Sequence, residues 1–212
     1  GNLRNAAVNG LAHGACGYLI TDWGDNGHWQ PLPIHDLGFA AGAAYSWAFA
    51  ANRELDLAVA LSSHAYADPT GALGRVAHDL GDVYRVPGPK PPNNSILSLA
   101  LQRPLAQAPE LSAKALARTE AAIDAAIAPL EQARSARPDA GLLAREYALA
   151  ARLLRHAVAR MRFAQGSGDR GALARVLAEI IVEYGDQWLT RNRPGGLTDS
   201  VARLERLTVD YA

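Results

Sequence analysis

Along the back half of the chain the apolar positions keep a helical period. Leu143, Tyr147, Ala150, Leu154, Ala157, Met161 and Ala164 alternate spacings of four and three, so they fall on one face of a single helix. The segment before it offers Leu116, Ile123, Ile127 and Leu130 in compatible phase. The segment after it offers Leu173, Leu177, Ile180, Tyr184 and Trp188, and a last helix carries Val201, Leu204, Thr208 and Tyr211. The stretches "QGSGD" and "RPGGLTD" punctuate them, with glycine at helix ends and Asp at N-cap positions. This pattern predicts a helical bundle over residues 94–212. The arginines mostly fall off the apolar seams and read as solvated faces.

The middle of the chain is also helical. "RELDLAVALSSHAYAD" and "PTGALGRVAHDLGDVYRV" predict two helices split by the turn-forming "ADPTG", a helical connection over residues 53–86. The proline-dense "PGPKPPNN" that follows cannot be regular structure and marks a subdomain boundary. "SILSLALQRPLAQ" reads as a short helix stopped before Pro104.

The first quarter differs. "LRNAAVNGLAHGACG" predicts a short helix ended by glycine, and "YLITDW" a buried strand. "IHDLGFAAGAAYSWAFAANRE" predicts a helix whose small residues allow close packing, with Trp47 in the core. Helix, strand, loop and helix make residues 1–52 look like one βα unit of an α/β fold. A lone strand cannot satisfy its own backbone groups, and no convincing second strand follows.

Composition narrows the classes. Lys+Arg 21 against Asp+Glu 21 leaves no net charge, which disfavours nucleic acid and anionic membranes as partners. No apolar run approaches the roughly 20 residues that span a bilayer. The single cysteine, Cys16, excludes an internal disulfide and a cysteine-based zinc site, and reads as a small buried core thiol. Nothing in the chain selects between a cytoplasmic and an exported location.

Between the expected strand and the small-residue helix lies "TDWGDNGHWQ". Its chemistry suits carbohydrate: a sugar ring stacks an apolar face on a flat aromatic and offers hydroxyls to carboxylates and amides. Trp23 and Trp29 supply candidate platforms; Asp22, Asp25, Asn26, His28 and Gln30 supply candidate hydrogen bonds. The bland reading is a tryptophan-pinned corner with Asp as turn acceptor. Asp22, Asp25 and His28 are also spaced as a metal set, but on a loop that spacing has no fixed geometry. Asp22 and His28 as an acid–base pair is a further reading. His35 reads as a cap or surface residue, and His13, His64, His78 and His156 as structural. Basic residues in "WLTRNRPGG" complement a helix C-terminus; Trp188 and Arg191 reaching back towards the sugar site is the functional alternative.

The segments "GYLITDWGDNGHWQPLP", "GFAAGAAYSW" and "WLTRNRPGGLTDS" resemble the C-terminal part of bacterial family 20 glycoside hydrolases, the β-N-acetylhexosaminidases. The resemblance implies a mainly α chain: the last βα unit of a (β/α)8 barrel followed by a C-terminal helical bundle. It matches Trp23 to the family's ring-stacking tryptophan and Asp25 to its hydroxyl-binding acid, which is commonly Glu. His28 is a further candidate contact without a transferable role. The family needs no metal or other cofactor. Its catalytic Asp-Glu dipeptide is absent from this sequence, as are the other barrel strands. The opening "GNLRNA" reads as the interior of a longer protein.

The expected function is therefore one wall of a sugar pocket in an exo-β-N-acetylhexosaminidase. The parent would act on N-acetylhexosamine-containing glycans by substrate-assisted retaining hydrolysis, and the chain alone would be inactive. Self-association through the orphan strand is expected of such a piece. The rival reading is a stand-alone helical binding or assembly module that carries the loop as a relict.

Overall fold

The computed structural model describes residues 1–24, 26, 29–92 and 94–212. It is mainly helical: α1 (Asn2–Ala12), α2 (Asp36–Asn52), α3 (Leu57–His64), α4 (Ala72–Asp82), α5 (Ile96–Gln102), α6 (Ala113–Ile127), α7 (Ala140–Ala164), α8 (Arg170–Arg191) and α9 (Leu197–Glu205). Short 3₁₀ turns join several of them, including Leu32–His35 before α2 and Arg206–Tyr211 at the end.

The bundle expected from the apolar seams is present, with α7 at its centre. Leu143, Tyr147, Ala157 and Met161 are fully buried, and so are Leu149, Ala151 and Val158 on other faces of the same helix. A helix buried on more than its seam is surrounded, here by α4, α5, α6 and α8. Ala164 at the seam's end is exposed. The apolar core runs from Trp29 to Tyr211 and contains residues from both sides of the proline-dense connector.

The turns follow their chemistry. Asp169 caps α8 by accepting from the Gly171 amide at 2.8 Å. Asp199 instead lies in the first turn of α9, which Gly196 opens in a left-handed conformation (φ 82°). The "ADPTG" turn is built on buried Asp68, which accepts from the amides of Thr70, Leu73 and Arg134. α3 and α4 cross closely at Gly74, where an added Cβ would lie 1.9 Å from the Ala58 carbonyl oxygen.

The first quarter departs from expectation. Among the described residues no strand forms, and Tyr18–Trp23 is irregular, with Leu19 85% exposed. The physical reason is the one the sequence raises: a strand needs a partner for its backbone groups, and the described chain offers none. The segment lies against the small-residue helix instead. Ile20 packs over Gly42, and the Tyr18 hydroxyl donates to the Gly42 carbonyl at 3.1 Å. Trp47, expected in the core, is 89% exposed, and Cys16 is an exposed free thiol. Both lie where no further layer of the described residues covers α1, α2 and the irregular segment.

One arginine also departs from the solvated-face reading. Arg160 is fully buried. It donates to the carbonyls of Ala100 (2.9 Å) and Arg103 (3.1 Å), to Asp210 (2.7 Å) and to the Tyr211 hydroxyl (2.8 Å). A buried guanidinium is tolerated only when its charge and donors are met in this way. Because Tyr211 accepts from Arg160, its own proton goes to His156 Nε2, 2.9 Å away. The ring hydrogen of His156 is then on Nδ1, which is buried with no partner among the described residues.

Burial first, and the Arg160 charge second, lower the His156 pKa to about 4. The unfolded chain therefore takes up a proton that the folded chain refuses. The contribution to stability is complete above pH 6.5 and is lost as pH falls towards 4, about 3 kcal/mol over that window. Thermal unfolding followed by circular dichroism will show His156→Gln losing less stability than the wild type across it.

Candidate functional site

The loop is held to the bundle from its C-terminal side. Trp29 is buried and its indole N–H donates to the Ser200 carbonyl on α9 at 3.2 Å. Four residues later the Pro33 carbonyl accepts from the Tyr147 hydroxyl of α7 at 3.0 Å and lies 3.4 Å from the Tyr66 hydroxyl. The two hydroxyls are 2.5 Å apart, and their rings meet edge to face. Tyr66 also bonds the Asp36 carboxyl at the start of α2. Burial raises the Asp36 pKa against the pull of Tyr66, Arg137, His35 and Arg191, and both tyrosines are pushed well above their ordinary range, first by burial.

A second cluster adjoins this one. Arg191, in the last turn of α8, grips Glu146 of α7 with two bonds of 2.9 and 2.6 Å and reaches Asp139 at 2.7 Å. Glu146 is 2% exposed. Arg137 completes the set by pairing with Asp139 at 2.8 Å. Hydrogen bonds from Arg137 and then Arg191 hold the Asp139 carboxyl well below the usual carboxylate range, and the Glu146 bond, foremost, raises Arg191.

The sequence candidates separate on this frame. Trp23 is 73% exposed; its indole N–H donates to Thr21 Oγ1 at 3.1 Å. Of the two candidate platforms, Trp23 is therefore the accessible one and Trp29 is a core pin. Asp25 and His28 lie outside the described residues, and with them two members of the Asp22/Asp25/His28 set. Asp22 pairs with His35, Oδ2 to Nδ1 at 2.7 Å. The His35 side chain is only 9% exposed, so it belongs to the loop's support rather than to the surface. Asn26 takes a left-handed conformation (φ 60°), as a turn residue with a short polar side chain can. Among the described residues no group of three or more His, Cys, Asp or Glu is placed to hold a metal ion.

Comparison with family models, curated proteins and solved structures finds no match.

The structure also gathers residues that single motifs do not reveal. Gly24, Gln30, Pro31 and Leu32 from the loop face Glu146, Leu149, Tyr184, Gln187, Trp188 and Arg191 across a cavity of about 460 Å³. Trp188 and Arg191 thus share a cavity with Gly24 and with Gln30, Pro31 and Leu32 of the loop, and Trp23 is not among its lining residues. Glu146, Tyr66 and Tyr147 were visible in the sequence only as helix positions. A Glu among Leu143, Tyr147 and Leu149 on a buried helix was the available signal, because a buried carboxylate demands a cation.

Removing the guanidinium would strand a buried charge. Arg191→Met should cost about 3–5 kcal/mol in urea unfolding, and the Arg191→Met/Glu146→Leu pair less than the single change.

Proposed function

We propose that the chain is the C-terminal segment of an exo-β-N-acetylhexosaminidase and supplies one wall of its sugar pocket. The observation that carries this reading is Trp23: a large aromatic ring left open to solvent on a loop whose far end is anchored in the bundle. That is the combination a stacking platform requires, an apolar face presented by a positioned backbone. Asp25, two residues on, would take the sugar hydroxyls; its part rests on the resemblance of "TDWGDNGHWQ" to the family 20 loop.

The distribution of exposed apolar side chains supports the same reading. Among the described residues, Val8, Leu11, Leu19, Trp23, Leu32, Phe39, Trp47, Leu55 and Val59 are exposed, nine of fourteen such large residues, all within the first 59 positions. A surface of that kind calls for cover, and the remaining units of a barrel would provide it. In the parent, the substrate's acetamido oxygen would act as nucleophile and a carboxylate pair on another strand would orient it and transfer the proton. Here the last βα unit would have its strand formed only when neighbouring strands pair with it.

The second reading, a stand-alone helical module, is favoured by a core that the chain fills itself from Trp29 to Tyr211. Activity separates the two. On a chromogenic N-acetyl-β-glucosaminide this chain alone should show no turnover. Extended by the in-frame upstream sequence, which should encode the rest of a barrel of about 250 residues, it should be active. In that extended protein Trp23→Ala should lower kcat/KM about 100-fold. Turnover by this chain alone, or an inactive extended protein, would overturn the proposal.

A further inference from the structure

Helix α2 is apolar on every side. From residue 37 to residue 52 the chain carries no charged side chain, and a helix apolar all round is ordinarily surrounded. Here it is covered on one side only. Ala41 and Gly42 are buried, and α1 and α3 pack against the helix. Phe39, Ala43 and Trp47 are exposed, and Trp47, at 89%, is the most open large apolar side chain among the described residues. Steps of four residues set the three on one stripe, each about 40° round from the last. The break in helical backbone at Ala48 lies beyond them, so the stripe sits on regular helix.

The stripe is complementary to itself. Phe39 and Trp47 each lie four residues from Ala43, so a two-fold axis at Ala43 sets Phe39 of each copy against Trp47 of the other on antiparallel helices. Ala43 at the axis is small enough to let the helices close, and aromatic rings brought together in this way attract beyond the area they bury. No charge on the face opposes its twin. Nor does any charge offer itself to an acidic or basic partner.

We infer that the outer face of α2 is a self-association surface through which two copies of this chain pair as an antiparallel dimer. Phe39 is 45% exposed and Trp47 89%, which leaves about 300 Å² open on each copy and about 600 Å² between the four rings. That is short of the roughly 1,200 Å² of a stable interface, so the dimer is a weak one. Barrel units, where present, would pair with the Tyr18–Trp23 segment, which meets the helix at Gly42, about 100° round from Ala43. For Phe39 and Trp47 the cover is a second copy. The pairing uses only residues of this chain and does not rest on the hexosaminidase reading.

The test is sedimentation equilibrium of this chain, in which the wild type should pass from monomer to dimer with a Kd of about 10–100 μM. Phe39→Glu and Trp47→Lys, both at exposed positions, should each weaken pairing at least about tenfold. Mixed one to one, the two variants should dimerise again. The antiparallel register sets the new carboxylate against the new ammonium and leaves the other Phe39–Trp47 contact intact. Leu19→Ser, on the Tyr18–Trp23 segment, should leave the Kd within about twofold. Ala43→Gln, which keeps a good helix former and puts bulk on the axis, should weaken pairing as the aromatic variants do and replaces them if they fail to fold. A wild type monomeric up to about 500 μM, open-ended association in place of a dimer, a mixture that stays monomeric, or a dimer lost with Leu19→Ser would overturn the assignment. Since no turnover is read, an inactive extended protein would sink the hexosaminidase reading and leave this result standing.

Discussion

One carbonyl carries the placement of the whole N-terminal region. Pro33 cannot donate a backbone hydrogen bond, but its oxygen takes the Tyr147 hydroxyl from the N-terminal third of α7, with Tyr66 in the same cluster. Tyr147 and Tyr66 are both fully buried, so the contact is made inside the core, where an unmet hydroxyl would cost more than a made bond gains. Around it Tyr66 bonds Asp36, and Arg137, Asp139, Arg191 and Glu146 satisfy one another in series. Such a network is stabilising only when complete. It forms here because α2 and α7 begin, and α8 ends, beside the same turn.

That arrangement explains why the loop can be both exposed and positioned. Trp29 and Pro33 are pinned to α9 and α7, and Asp22 is tied back to His35. Between these anchors Trp23 is open to solvent. The cavity lined by Gly24, Gln30, Pro31 and Leu32 has Glu146 and Arg191 in its other wall, so it rests on the same cluster as the loop.

The bundle was legible because seams such as Leu143 to Met161 and Leu173 to Tyr184 are set by local periodicity, which the fold then satisfies. The breadth of α7's burial was not, since surrounding a helix on several sides is a tertiary fact that Ala151 or Arg160 does not announce. Glu146 and Arg191, separated by 45 positions, could be paired only once α7 and α8 were laid side by side. The strand reading of "YLITDW" failed for a different reason: β-branched and aromatic residues favour a strand only where another strand is present. Residue type alone points Trp47 and Cys16 to a core, and no layer of the described chain covers them. Trp23 against Trp29 shows the limit of motif reading. Both suited a platform, and only the Ser200 contact separated pin from surface.

Amide and indole hydrogen exchange tests the tie between loop and bundle most directly. If the Pro33 knot places the N-terminal region, the Trp29 indole N–H and the Ile34 amide, which donates to Pro31, will exchange as slowly as amides in the middle of α7, through global unfolding only. Exchange of these two groups at the rate of exposed loop amides, with α7 still protected, would contradict it.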